Sequence, residues 1–416
     1  MSAYLDHAAT TPMRASARAA WIEQSERGGN PSSLHTSGRA ARAVVEESRE
    51  EIAGALSARP SEVVFTSGGT EADNLAIKGT YAARLASVGA RRLVVGGIEH
   101  HAVLDPVEHL VKAQGAEVTW LEPDRCGHIL VDDLRAAITP VLASANSANS
   151  ADGANSADGA DGADAGGVAV VSVMWANNEV GTVQPVAELA AVAREAGVPF
   201  HTDAVQAVGQ LPVDFAASGA DLMTVSAHKV GGPVGVGALL ARRDARLVPL
   251  VHGGGQERQV RSGTLDAAGI RAFAVALTEA VAERDVEAKR LTVLRDRLIG
   301  SALGLELGIS VSGCWTEGDA TDRLPGNAHL LVPGCEGDSL LYLLDAAGVE
   351  CSTGSACQAG VPQPSHVLLA MGYPEAEARG ALRLSLGHTS TDGDVDAFLA
   401  ALPGVVERAR RASGAA

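Results

Sequence analysis

The chain has 416 residues and a formal net charge of -17 at pH 7; hydrophobic residues make up 46% of it and aromatics only 3%. The acidic balance argues against sequence-independent binding to nucleic acid, which needs a basic surface. A chain of this length and apolar content can bury a large core, but with so few aromatics the core must be filled by Ala, Val, Leu and Gly.

The first residues, "MSAYLDHAATTPM", have no basic region followed by an apolar run, so no secretory signal is expected. No uninterrupted apolar stretch is long enough to span a bilayer. The five cysteines, Cys126, Cys314, Cys335, Cys351 and Cys357, are odd in number and widely scattered, which does not read as a disulfide framework. No C-x-x-C pair offers a zinc site. The expectation is a cytoplasmic protein with free thiols, no metal, no membrane and no direct nucleic-acid partner.

In chain order, strands are predicted at Val63–Thr66, Arg92–Gly96, Glu117–Leu121, Val168–Met174, Phe200–Asp203, Leu222–Ser226 and Gly235–Ala241. Helical patterns lie between them at Arg39–Ala55, Glu71–Ala86, Ala102–Ala113 and Val186–Ala196. This alternation predicts an α/β fold with a mostly parallel central sheet flanked by helices. The stretch Ser144–Gly167 is a degenerate Ala/Asn/Ser/Asp/Gly repeat with no apolar face, and is expected to be a disordered low-complexity insertion. A long helical pattern runs from Asp266 to about Ile299, and the spacing of elements changes beyond it. The expected division is a large domain over 16–265 and a smaller α+β domain made of 1–15 and 266–416.

In parallel α/β sheets ligands bind beyond the carboxyl ends of the strands, so the residues there carry the functional reading. After Val63–Thr66 comes "SGGTEADN", where Gly69 and Thr70 open a helix able to receive a phosphate. "IEHHAVLD" places His100 where an imidazole can stack on a flat ring or cap the next helix. "WANNEVG" offers the Asn177 and Asn178 amides, or an ordinary turn. "HTDAVQ" ends a buried strand on Asp203, a carboxylate that needs a cationic partner, with Gln206 three residues on. "SAHKVGGPVG" supplies Ser226 and His228 as donors and Lys229 as an amine. "HGGGQERQVRSGT" ends in Thr264, another candidate phosphate ligand. A phosphate cradle, a ring stacker, a carboxylate for a ring nitrogen and a Schiff-base lysine, each after a strand, fit pyridoxal 5'-phosphate.

With these motifs and "STGSACQAG", the chain resembles the cysteine desulfurases of the class V aminotransferase group, pyridoxal-phosphate enzymes of fold type I. The resemblance implies that Lys229 is the covalent anchor and Asp203 the partner of the pyridine nitrogen. It implies that Gln206 bonds the ring hydroxyl, that His100 stacks on the ring and aids proton transfer, and that Asn178 contacts cofactor or substrate. Gly69, Thr70, Ser226, His228 and, across a homodimer, Thr264 would hold the phosphate. Cys357 aligns with the sulfur-accepting nucleophile, in what resembles the long catalytic loop of one subgroup. Cys126, Cys314 and Cys335 read as small buried apolar residues, and Cys351 as structural. The family commonly has arginine after "SLG"; here His388 stands there, which draws attention to the substrate carboxylate, while Arg383 reads as structural.

The implied reaction is L-cysteine to L-alanine, with the sulfur held on Cys357 as a persulfide and passed to an acceptor protein. An iron–sulfur scaffold, a tRNA-thiolating enzyme, a DNA sulfur-modification system and a biosynthetic sulfur carrier are all compatible acceptors. Three other readings stay open at this point: a selenocysteine lyase, a related enzyme with a substrate altered through His388, and a non-catalytic docking platform for sulfur transfer.

Overall fold

A computed structural model describes residues 2–139, 167–354 and 364–413. Cys357 and the repeat at 144–167, apart from Gly167, lie outside the described residues. The strands are β1 (Ala3–Tyr4), β2 (Val63–Thr66), β3 (Arg92–Gly96), β4 (Glu117–Leu121), β5 (Val168–Ser172), β6 (Phe200–Asp203), β7 (Leu222–Ser226), β8 (Gly237–Ala241), β9 (Ser310–Val311), β10 (Asn327–Leu331), β11 (Val349–Glu350) and β12 (Ala381–Ser385).

Seven strands form one sheet in the order β2-β8-β7-β6-β5-β3-β4. All its neighbours pair in parallel except at β8, which runs antiparallel to both β2 and β7. The sequences VAVVS in β5 and LMTVS in β7 are buried at every residue, as strands covered by helices on both faces must be. Their continuous apolar character follows from that double cover.

A second sheet, β12-β10-β9, is antiparallel and has its own core of Leu330, Leu382, Leu384, Phe398 and Val406. The helix Ala267–Leu303 joins the two layers. Ile270, Phe273 and Leu277 enter the core of the large sheet, while Leu291, Leu294 and Leu298 enter that of the small one. Among the described residues no helix is long and apolar enough to cross a membrane.

Two element predictions need adjusting. The strand predicted to Met174 ends at Ser172, because the chain leaves the sheet there to build the ligand edge. The helix predicted over Glu71–Ala86 is divided into Gly69–Asn74, a wide π turn at Leu75–Gly79, and Thr80–Val88. At that turn Val248 N donates to Gly79 O (3.0 Å), and a Cβ on Gly79 would lie 2.9 Å from Val248 O, so the two backbones meet with no side chain between them.

The cysteines also need a correction. Cys126, in the turn after β4, and Cys314, between β9 and β10, form a disulfide across a sequence separation of 188. Cys126 is half-buried and Cys314 exposed, so neither is a small buried apolar residue. Tertiary packing of two remote turns makes this pair, which spacing along the chain does not reveal. Cys335 and Cys351 are free and buried.

Candidate active site

The carboxyl ends of β3, β5, β6 and β7 open onto a cavity of about 410 Å³, closed from the other side by residues of the small-sheet layer. Gly69, Thr70, His100, Asn178, Asp203, Gln206, Ser226, His228 and Lys229 all line it. So do Ala8, Ala9, Ser352, Gly354 and Arg383.

Lys229 follows β7 on a single tight turn, Ala227–Lys229, that swings its side chain inward. Its ammonium donates to the backbone oxygens of Ala8 and Ala9, the latter at 2.8 Å. Burial, and then the positive charge of Arg383, lower its pKa to about 8, while Asp203 and Asp6 oppose the shift. Near neutral pH this amine is far easier to deprotonate than an exposed lysine.

Asp203 ends β6 and is 6% exposed. One carboxylate oxygen accepts from Val205 N at 2.8 Å. Burial, and then the nearby Asp73, raise its pKa to about 8. No ion pair reaches it among the described residues, so near neutral pH it holds its proton, and a cation placed beside it would ionise it. Beneath it His201 is fixed through both ring nitrogens: Nδ1 lies 2.9 Å from Ser172 Oγ, and Nε2 lies 3.1 Å from Thr224 Oγ1 and 3.4 Å from Asp73 Oδ1. Burial lowers the His201 pKa to about 4, so this imidazole is neutral.

His100 does cap a helix: its Nδ1 accepts from Ala102 N at 3.0 Å at the start of His101–Gln114, and its side chain opens onto the cavity. The surrounding protein, and then the Lys229 charge, lower its pKa to about 4, which leaves a neutral ring. His228 Nδ1 lies 3.2 Å from Thr10 Oγ1, and the Gln206 amide donates to Ala8 O at 2.9 Å. Ser226 Oγ is buried at the cavity with no hydrogen-bond partner. Asn177 is internal to the fold, its Oδ1 accepting from Glu179 N and Val180 N, and only Asn178 reaches the cavity.

Three predicted residues stand elsewhere. Cys357 lies outside the described residues. Thr264 is exposed and does not line the cavity, although its neighbour Arg261 pairs with Glu71 (2.8 Å), beside Thr70. His388 lines a second, adjoining cavity with His7 and Arg14 and is absent from the lining of the one that holds Asp203. The cation that stands in the chamber is Arg383, with a 5% exposed side chain, bonded to Asp6 Oδ1 (2.8 Å) and Asn178 O (3.1 Å). The sequence carries a signal for it. In "ALRLS" the alternation of a strand sends Leu382 and Leu384 into the small core, and Arg383 to the opposite face.

A chamber with a low-pKa amine, a buried carboxyl outside any ion pair and, among the described residues, an unpartnered hydroxyl can hold a charged ligand. The family model described as "Aminotransferase class-V" matches residues 3–158 and 148–398. The chain belongs to this class V aminotransferase family and, within it, to the cysteine desulfurases. An IscS-like cysteine desulfurase of Mycobacterium tuberculosis is 55% identical, over 100% of this chain and 98% of that protein. The solved structure of a NifS-like protein superposes with a TM-score of 0.81 at 31% identity, covering 98% of this chain and 99% of its own. A structure described as SspA in complex with cysteine gives a TM-score of 0.75 at 32% identity, covering 94% of this chain and 100% of its own.

Proposed function

We propose that this chain uses pyridoxal 5'-phosphate to take sulfur from L-cysteine, releasing L-alanine and holding the sulfur on Cys357. The observation that carries this reading is that Lys229 and Asp203 line one cavity, an amine whose pKa burial lowers and a buried carboxyl outside any ion pair among the described residues. The residues fit the cofactor. The partnerless Ser226 hydroxyl matches a phosphate oxygen, and the Asp203 carboxylate matches a protonated ring nitrogen. When bound, pyridoxal phosphate supplies an electron sink for the substrate α-carbon.

Lys229 anchors the cofactor and then, as a free amine, moves the Cα proton. Asp203 keeps the ring nitrogen protonated, with His201 and Asp73 fixing the floor beneath it. His100, neutral, covers the ring and is within the cavity to relay a proton. Gly69, Thr70, Ser226 and His228 take the phosphate, Gln206 the ring hydroxyl, and Asn178 the cofactor or substrate. Arg383 takes the substrate carboxylate, a role suited to a planar two-pronged donor. The Cys357 thiolate attacks the substrate sulfur; the new S–S bond forms as the Cβ–S bond breaks, and the electron pair returns to carbon. A protein acceptor then removes the outer sulfur, for iron–sulfur cluster assembly, tRNA thiolation or another sulfur-containing product. Residues 16–265 act as the cofactor-binding domain, and 1–15 with 266–416 as the smaller one, a division supported by the two separate cores. A homodimer would bring the exposed Thr264 to the neighbouring phosphate.

The test is to add L-cysteine to purified protein and measure alanine together with the mass of the Cys357 peptide. The Cys357→Ala variant keeps the visible absorbance of the bound cofactor and forms no persulfide. Sustained persulfide production by that variant would overturn the assignment.

A further inference from the structure

We infer that Cys126 and Cys314 form a reversible thiol–disulfide site that fastens the large-sheet layer to the small-sheet layer behind the active-site cavity, and that thiols of the L-cysteine class open it. Cys126 belongs to the turn after β4 of the large sheet, and Cys314 to the connection between β9 and β10 of the small one, so the bond closes a loop across a separation of 188 residues. Cys314 is exposed and Cys126 half-buried, which leaves the pair open to attack by a small thiolate. The local structure holds the two sulfurs together. Asp124 Oδ1 accepts from Cys126 N and His128 N (both 2.8 Å), shaping a tight turn.

The pair is also wired to the site. Thr182 Oγ1 donates to Cys126 O, and Arg323 donates to both Cys314 O (3.3 Å) and Val180 O. The Cys126 backbone is therefore bonded to the turn 177–183, which presents Asn178 to the cavity, and the Cys314 backbone shares the Arg323 guanidinium with that turn. On the small-sheet side, Gly313 N donates to Tyr373 Oη (3.1 Å). The bond thus adds a covalent tie between the turn after β4 and the small-sheet layer, beside the hydrogen bonds Val183 N to Asp322 O (2.9 Å), Leu324 N to Gly181 O (2.8 Å) and Asn327 Nδ2 to Glu179 O (2.8 Å) that already join turn 177–183 to that layer, and opening it loosens this junction.

Reduction consumes two molecules of thiol. Each gives one proton and one electron, leaving Cys126 and Cys314 as thiols and the reductant as its own disulfide; L-cysteine would become cystine. A peroxide reverses the step: two thiols and one peroxide yield the disulfide and two waters. The oxidised protein is the slower one, because substrate entry and product release need the two walls to part.

The experiment compares full-length protein oxidised with hydrogen peroxide, the same protein after treatment with L-cysteine, and the Cys314→Ser variant. Peptide mapping without reductant should find Cys126 linked to Cys314, with the linkage lost on L-cysteine treatment. Reduction should lower the melting temperature by several degrees, since a long closed loop is released. It should raise alanine production at least about twofold relative to Cys314→Ser put through the same treatments, a control that also reports peroxide oxidation of the Cys357 thiolate, and the melting temperature of Cys314→Ser should be indifferent to both. The melting shift needs no activity, so it stands even if the proposed reaction were wrong. Failure of the thiols to link, or a linkage that L-cysteine cannot open, would overturn the proposal, as would a linkage that changes neither melting nor turnover. Stoichiometric zinc in the reduced protein, lost in Cys314→Ser and His128→Ala, would replace it with a metal site made of the cluster Asp124, Cys126 and His128 together with Cys314, which stands beside Cys126.

Discussion

Arg383 is a cation delivered to a cavity by a strand that is otherwise apolar. Its guanidinium is almost fully buried and already oriented by Asp6 and the Asn178 carbonyl, so it meets a substrate carboxylate without having to be ordered first. A lysine at this position keeps the charge but loses the two-pronged geometry. Charged hydrogen bonds contribute about 1.5–3 kcal/mol, so Arg383→Lys is expected to raise the KM for L-cysteine by roughly 10- to 100-fold. The effect on kcat should be smaller. Steady-state alanine formation by Arg383→Lys, with His388→Ala as the comparison, measures this. A larger KM change in the histidine variant would return the carboxylate role to His388. Most of the cavity's residues were legible because each follows a predicted strand. Arg383 was less so: alternation in a strand sets it opposite Leu382 and Leu384, but only the packing of the small-sheet layer against the large one shows that this face meets the cavity.

At the scale of elements, the parallel sheet was readable from β-branched runs whose side chains are buried on both faces, as in VVFT of β2 and LMTVS of β7. What periodicity could not carry were events set by contact between remote segments. The π turn at Leu75–Gly79 reflects the approach of Val248, and the Cys126–Cys314 bond reflects the meeting of two turns. The helix Ala267–Leu303 was visible as a long pattern, yet its double duty was not, since its apolar face changes core partway along. That arrangement makes its second half a test of how far the small-sheet layer can loosen on its own. Leu298 is fully buried among small-core residues. Leu298→Ala is expected to cost about 2–5 kcal/mol, read as a lower denaturant midpoint. Far from the cavity, it should leave the absorbance of the bound cofactor unchanged. Loss of cofactor binding at equal folded fraction would mean that the small core positions the site more tightly than its contacts suggest.

Over the whole molecule, the buried titratable groups beneath the cavity make stability depend on pH in a direction that can be worked out. Burial raises Asp73 from 3.8 to about 7 and, with help from Asp73, Asp203 from 3.8 to about 8. Glu99 is also raised, chiefly by burial. A carboxyl whose folded pKa lies above its unfolded value contributes stability at low pH and loses it as pH rises through the folded pKa. The histidines His100, His201 and His228, each lowered to about 4 from 6.5, act oppositely, but only below 6.5, where the unfolded chain takes up protons first. Lys229, lowered to about 8 from 10.5, acts above that window, where the unfolded amine keeps its proton longer. Between pH 6.5 and 8 the carboxyls therefore dominate among these groups, and the cofactor-free protein should melt at progressively lower temperature across that range. Asp73→Asn should flatten the fall, because it removes one shifted group and part of the cause acting on Asp203. A bound cation beside Asp203 pulls that carboxyl back down, so the cofactor-loaded protein should show the shallower slope. Melting curves of both forms at matched ionic strength decide it. A melting temperature that rises from pH 6.5 to 8 in the cofactor-free protein would mean that Asp73 and Asp203 are ionised without a cation, and that the cavity floor is more hydrated than its packing implies.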